Sequence, residues 1–218
     1  MILKKLSQAM IEGEVEMGKE LAQQGIEEGL SPQELLDDGV LAGMEVVGDR
    51  FKNYEMYIPE VLNSASVMHE VMNIIKPALV SSDGDFKMKG TVVLGTVEGD
   101  LHDIGKNLVG LMLEGAGFKV VDIGIDQPAK SFVDAVEKEN PEVLGMSALL
   151  TTTAPKITEV IESLKEANLK DNVKTMAGGA VIDQAFCDEN GVDAYGASAT
   201  AAMEITQKFV EEVKNNAS

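Results

Sequence analysis

Thr91-Val92-Val93-Leu94-Gly95-Thr96-Val97 is apolar or β-branched almost throughout, and its reading decides the fold. A strand wetted on one face alternates apolar with polar residues, whereas a strand covered on both faces reads as a continuous apolar run. Similar short runs follow at Val120–Ile125, Val143–Leu149 and Lys174–Ala177, with a weaker one near Ala194. Between them lie helical stretches at Ile104–Gly115, Ser131–Glu139 and Pro155–Ala167, and a last one runs through Ala201–Val213. Strands that alternate with helices predict an α/β domain over residues 90–218. Its core is a doubly wound, five-stranded parallel sheet of Rossmann-like (flavodoxin-like) type.

Working outward from Thr91 towards the start of the chain, the period changes. Ser31-Pro32-Gln33-Glu34 carries the marks of a helix start: Ser as N-cap, Pro at the first helical position and Glu three residues after the cap. Leu36, Val40, Met44, Val47 and Phe51 then recur at intervals of four, four, three and four, along one face of a helix. Pro59 can open a further helix, on which Val61, Ala65, Met68, Met72 and Ile75 repeat the pattern, and Glu14–Glu28 is helical by propensity. Residues 1–80 therefore read as a four-helix bundle. The polar stretch Ser81-Ser82-Asp83-Gly84-Asp85 opens a linker over residues 81–89.

Composition bounds the function. The chain has 218 residues, of which 44% are apolar and 25% charged, and its net charge is −19. That charge repels nucleic acid and anionic membranes alike, so neither is expected as a partner. No apolar run is long enough to span a bilayer, and Met1-Ile2-Leu3-Lys4-Lys5 does not resemble a signal peptide, which places the expected location in the cytoplasm. Cys187 is the single cysteine, which excludes an internal disulfide, a zinc ribbon and a cysteine-ligated iron–sulfur cluster.

In doubly wound sheets, ligands bind beyond the carboxyl ends of the strands. Asp100 and His102 fall there after the first strand, Ser147 through Thr153 after the third, and Gly178-Gly179 after the fourth. His102 is one of two histidines. Asp100, two positions earlier in the same loop, can fold back to accept a hydrogen bond from the imidazole, which fixes the tautomer and makes the free nitrogen a better metal donor. Gly105 lets backbone or ligand approach closely. A zinc hydrolase would need further ligands at defined spacing. A dinucleotide site would need Gly-x-Gly-x-x-Gly directly after the first strand, where the chain instead reads Gly99-Asp100-Leu101-His102-Asp103-Ile104-Gly105. No Gly-x-Ser-x-Gly marks a nucleophile elbow. A metal that brings four ligands of its own, and needs one from the protein, remains.

Three patterns in order, Asp100–Gly105, Ser147-Ala148-Leu149 and Gly178-Gly179, resemble the cobalamin-binding module of methionine synthase and the corrinoid proteins of methanol and methylamine methyltransferase systems. The separations match that family: 41 residues lie between Gly105 and Ser147, and 28 between Leu149 and Gly178. Met56-Tyr57-Ile58-Pro59-Glu60-Val61-Leu62 resembles the cap segment of the helical domain that precedes the cobalamin domain in the family. The resemblance implies a cobalamin or related corrinoid bound base-off, with His102 as lower axial cobalt ligand in place of the cofactor's own benzimidazole. It implies that Asp100 hydrogen-bonds His102 and is linked in turn to a hydroxyl. The family often has serine there, six positions after the Ser of Ser-x-Leu; here the place is held by Thr153, which keeps the hydroxyl and adds a methyl. Asp103, Ile104, Gly105, Ser147, Leu149, Thr151, Gly178 and Gly179 are the further implied cofactor contacts, with Tyr57 and Leu62 from the cap.

The function so implied is that of a methyl carrier. The chain holds a methyl group on cobalt between a substrate-specific methyltransferase, for methanol, a methylated amine, a betaine or a similar donor, and a second methyltransferase acting on coenzyme M or tetrahydrofolate. A reductive activase is a further implied partner. No complete active site is expected in the chain alone. The competing readings are the cobalamin-binding subunit of an adenosylcobalamin-dependent mutase, a corrinoid-binding sensor, and a cofactor-free interaction protein. For Ser147 and Thr153 a plainer role also stands, capping the helix after the third strand, and Tyr57 and Leu62 can be ordinary bundle core.

Overall fold

The structure, a computed structural model, describes residues 1–81 and 88–216. The expected linker falls mostly on residues 82–87, outside the described residues. The chain divides into a helical unit and an α/β unit.

The helical unit holds α1 (Ile2–Glu12), α2 (Val15–Glu27), α3 (Pro32–Glu34), a π-helical turn over Leu35–Leu41, α4 (Ala42–Lys52) and α5 (Ile58–Ser81). Ser31 and Glu34 form the reciprocal capping box: Glu34 N–H donates to Ser31 Oγ at 3.2 Å, and Ser31 N–H donates to the Glu34 carboxylate at 2.9 Å. Leu36, Val40, Met44 and Val47 are buried as their spacing predicts, while Phe51 is half-buried. The π turn is a finding with a visible sequence cause. Two successive intervals of four, Leu36 to Val40 to Met44, overrun the 3.6-residue turn of an α-helix and suit a wider one. Leu35 and Leu36 are then both inside. On α5, Val61, Ala65, Met68 and Ile75 are buried and Met72 half-buried. α1 was not singled out by periodicity, yet Leu6 and Met10 on it are fully enclosed.

The α/β unit holds β1 (Thr91–Thr96), α6 (Ile104–Gly115), β2 (Lys119–Asp122), α7 (Ala129–Glu139), β3 (Val143–Ser147), α8 (Pro155–Glu166), a short 3-10 turn (Lys170–Asn172), β4 (Lys174–Gly178), α9 (Gln184–Asn190), β5 (Ala194–Tyr195) and α10 (Ala199–Asn216). All five strands are parallel in the order β2-β1-β3-β4-β5. This is the flavodoxin-like variant of the doubly wound sheet, whose strand order reverses between β1 and β3. β1 is buried from Val92 through Thr96, as the continuous apolar run requires. Phe132, Leu144, Ile157, Ile161 and Leu164 form the centre of a core cluster shared by β3, α7 and α8. The short α9 carries no sequence signal of its own, because seven residues are too few to show a period.

The sheet edge is fastened by one carboxylate. Asp193, just before β5, accepts from Lys170 Nζ at 2.8 Å and from the amide and hydroxyl of Thr175 on β4, each at 2.7 Å. Burial pushes its pKa up, but these donors outweigh burial and hold it below the ordinary aspartate range. A depressed folded-state pKa means stability that is complete above the unfolded value of about 4 and is lost as pH falls below it. Urea denaturation of Asp193→Asn is expected to show lower stability at neutral pH and a smaller further loss between about pH 5 and pH 3 than the parent shows.

Candidate functional site

Three loop starts lie level across the sheet. Thr96 is in register with Ser147, and Ser147 with Gly178, so the segments after β1, β3 and β4 leave side by side. The unequal separations of the three sequence patterns have this origin: two strand–helix crossovers lead from β1 to β3 and one from β3 to β4, and each loop start returns to the same height.

Asp100 lies in the loop between β1 and α6 with no exposed surface. Its Oδ1 accepts the His102 backbone N–H at 3.1 Å and meets His102 Nδ1 at 2.7 Å. Its Oδ2 accepts the Leu149 backbone N–H and the Thr153 hydroxyl, both at 2.7 Å. Thr153 Oγ1 also lies 3.0 Å from Leu150 O. One hydroxyl has one proton, and the ionised carboxylate is the stronger acceptor for it. Burial works to raise the Asp100 pKa, yet the bonds from Leu149, Thr153 and His102 outweigh it and hold the carboxyl far below its ordinary value. An ionised Asp100 accepts, so the proton between the two side chains is assigned to His102 Nδ1 and the Nε2 lone pair is left available. His102 itself is about half exposed, 52% of its side chain.

The capping alternative for Thr153 is set aside by this geometry. The N-cap of α8 is Ala154, and its side chain makes no capping bond. The extra methyl of threonine lies toward Gly99, where a side-chain carbon would come only within 3.6 Å of it. The hydroxyl therefore reaches Asp100 unhindered.

His102 stands on the wall of a cavity of about 570 Å³ in the α/β unit, within the size range of ligand pockets. Asp103, Ile104, Gly105, Ser147, Leu149, Gly178 and Gly179 line it too. Thr151 is exposed outside this lining, and Asp100 and Thr153 sit behind it as the support of His102. Tyr57 and Leu62 lie on the helical unit, 66% and 46% exposed, and so are not bundle core. Residues not anticipated also line the cavity: Leu94, Val109 and Met176 give it an apolar floor, and Tyr195 through Ala199 form a wall at the start of α10. The carboxyl-end rule applies to β5 as to the other strands, and the weak run near Ala194 is the sequence signal that points to that wall. Lys106, nearly buried on the wall, is engaged by the Asp122 carboxylate.

Two observations bear on the ligand that fits. A Cβ at Gly105 would meet nothing within 4 Å, so the start of α6 stands open to the cavity. At Gly179, where φ is +129°, a Cβ would sit 1.9 Å from Ala148 O, so the loops after β3 and β4 close on each other by glycine alone. Around His102, moreover, Leu101 and Ile104 are 66% and 78% exposed. A histidine nitrogen flanked by two bare apolar side chains, on the wall of a largely apolar cavity, suits a metal macrocycle with a tail; these residues fit a corrinoid.

An α/β unit of this topology, with a carboxylate-braced histidine at the switch point, is of the cobalamin-binding class. Residues 90–207 match a family model described as B12 binding domain, and residues 2–76 match a second model of the same description. The chain is 43% identical to trimethylamine corrinoid protein 1 of Methanosarcina acetivorans, over 91% of this chain and 92% of that one. It is 44% identical to dimethylamine corrinoid protein 1 of the same organism, over 80% and 81%. Among solved structures it resembles the methanol:cobalamin methyltransferase complex MtaBC from Methanosarcina barkeri, with a TM-score of 0.89 and 36% identity over 96% of this chain and 80% of that chain. The chain belongs to the B12-binding corrinoid proteins. Among the described residues, no helix is long and apolar enough to cross a membrane.

Replacing Gly179 by alanine adds a carbon where there is no room. Gly179→Ala is expected to lower the stability of the cofactor-free protein by about 3 kcal/mol, read by urea denaturation, because both backbone strain and overpacking oppose it.

Proposed function

We propose that this chain is a methyl carrier that binds a corrinoid base-off, with the nucleotide tail in the cavity and His102 Nε2 as the lower axial ligand to cobalt. The observation that carries the reading is the Asp100–His102 pair, with Nδ1 held at 2.7 Å and His102 on the cavity wall, its Nε2 without a hydrogen bond among the described residues. When bound, the corrinoid supplies a cobalt centre that can take up and give up a methyl group. The protein's part is placement. Asp100 holds the His102 ring and its tautomer, Thr153 and Leu149 N–H hold Asp100, and Gly178 and Gly179 line the cavity where their loops pack closely on neighbouring backbone. Asp103, Ile104, Gly105, Ser147, Leu149 and Thr151 are the further contacts on the α/β unit, with Tyr57 and Leu62 contributed by the helical unit.

The partners in this reading are a substrate-specific methyltransferase and a second methyltransferase acting on coenzyme M or tetrahydrofolate, with a reductive activase. The names of the relatives favour a methylated amine as the methyl source. The match of residues 2–76 to a B12-binding model favours a carrier over a mutase subunit, in which such a helical unit is not the rule.

The test is spectroscopic. Reconstituted with hydroxocobalamin and reduced to Co(II), the protein is expected to show a nitrogen superhyperfine triplet that becomes a doublet when its histidines carry nitrogen-15. His102→Ala is expected to lose the isotope response and to bind the corrinoid at least about tenfold more weakly. An isotope response that persists in His102→Ala removes the ligand assignment. Methyl transfer from mono-, di- and trimethylamine with their methyltransferases checks the carrier role, and inactivity with every donor and acceptor pair removes it.

A further inference from the structure

The loop that carries Asp100 and His102 is also fastened by residues that do not line the cavity. The segment after β2 runs alongside it and bonds to it at successive points. Thr96 N–H donates to Gly124 O at 2.9 Å, Gln127 N–H donates to Thr96 O at 3.0 Å, and Val97 and Gln127 form an isolated parallel bridge. The last point of this zipper is Asp126. Its Oδ1 accepts the Gly99 N–H at 2.6 Å, and its own N–H donates to Asp100 O at 3.1 Å.

The backbone at Asp126 gives the second observation. Its φ is +54°, in the left-handed region, where a non-glycine residue is uncommon. Glycine would hold this conformation without strain, but it would bring no acceptor for Gly99 N–H. Aspartate and asparagine are the residues that tolerate the left-handed region and also carry a short side-chain oxygen. Asp126 is exposed, so packing does not hold it there. The two bonds to the Gly99–Asp100 segment are what its conformation serves.

We propose that Asp126 is a positioning residue for the Asp100–His102 pair: its carboxylate and amide clasp the Gly99–Asp100 segment from outside and set the direction in which Asp100 meets the His102 ring. The inference rests on the reading of His102 as cobalt ligand and deepens it. A loop free to turn about Gly99, whose φ is +80°, would carry the Asp100 carboxylate with it and release Nδ1. The clasp restrains that turn without touching the histidine or the cavity.

Two readouts separate the clasp from the ligand assignment. In the cofactor-free protein, long-range proton–nitrogen correlation reports which ring nitrogen of His102 carries the proton, and His102→Ala assigns its signals against those of His69. In the Co(II) form, the nitrogen superhyperfine pattern reports ligation. Asp126→Asn keeps a side-chain acceptor and tolerates the left-handed backbone; Asp126→Gly keeps the backbone and removes the acceptor. Glu98→Ala, which breaks an exposed 3.0 Å ion pair with Lys156 on the same loop, is the control.

The expected result is a ring protonated at Nδ1 in the parent, in Asp126→Asn and in Glu98→Ala. Asp126→Gly, with unchanged circular dichroism, is expected to shift towards the Nε2-protonated form and to bind hydroxocobalamin about tenfold more weakly. An Asp126→Gly ring indistinguishable from the parent overturns the clasp. So does an Asp126→Asn ring that has shifted, which also decides the matter where the glycine variant does not fold. A parent ring protonated at Nε2 overturns it equally. Should the tautomer respond as expected while the Co(II) parent shows no histidine nitrogen, the clasp stands and the ligand assignment falls.

Discussion

A carboxylate with no exposed surface must replace the water it has lost, or its charge costs several kcal/mol. Asp100 meets that demand with four donors: two belong to His102 in its own loop, and two, Leu149 N–H and the Thr153 hydroxyl, to the loop after β3. The two loops cannot separate without stranding the charge. The histidine, the mouth of the cavity and the join between β1 and β3 are therefore determined together. A point contact between neutral groups would not bind them so tightly, because leaving a buried charge unpaired costs more than losing a neutral hydrogen bond.

The topology explains why this bond is available at all. Where the strand order reverses, the crossovers after β1 and β3 leave the sheet towards opposite faces, and a crevice opens between their loops. The register of Thr96 with Ser147 and of Ser147 with Gly178 brings the loop starts to one level. Asp100 spans the crevice at its back, and the cavity occupies the front. Gly179 closes the next gap, between the loops after β3 and β4, at a distance no side chain would permit.

Much of this was legible in the sequence, for identifiable reasons. β1 announced itself because burial on both faces leaves only apolar, glycine and β-branched residues in the run, and α6 because its apolar residues recur over twelve positions. The capping box at Ser31 is a local pattern and needed no tertiary information. Asp100, His102 and Thr153 were legible through the order and separation of the three patterns, since the crossovers return each loop to the same level. The π turn was written in two successive intervals of four, but a short overrun is read easily as an ordinary α-helix. The wall at Tyr195 through Ala199 was passed over because β5 is two residues long and carries almost no period. Asp126 was out of reach. Its role depends on one side-chain and one backbone bond to a segment 27 and 26 residues earlier, and on a left-handed φ that a lone aspartate does not advertise.

The identity of the donors to Asp100 bears on what the site does with charge. Lysine or arginine could satisfy a buried carboxylate equally well, and Lys106 is close at hand in the chain. Lys106 is instead engaged by Asp122, and Asp100 is held by amides, a hydroxyl and an imidazole. Neutral donors solvate a negative charge without cancelling it, so its field still acts on His102 through a medium of lower dielectric than water. A full negative charge 2.7 Å from Nδ1 makes the Nε2 lone pair a better donor to a cation. A lysine in place of Thr153 would hold the loops as firmly and would weaken that effect. The neutral donors thus leave the charge acting on His102 before any ligand arrives, with the ring already oriented and the entropy of fixing it already lost.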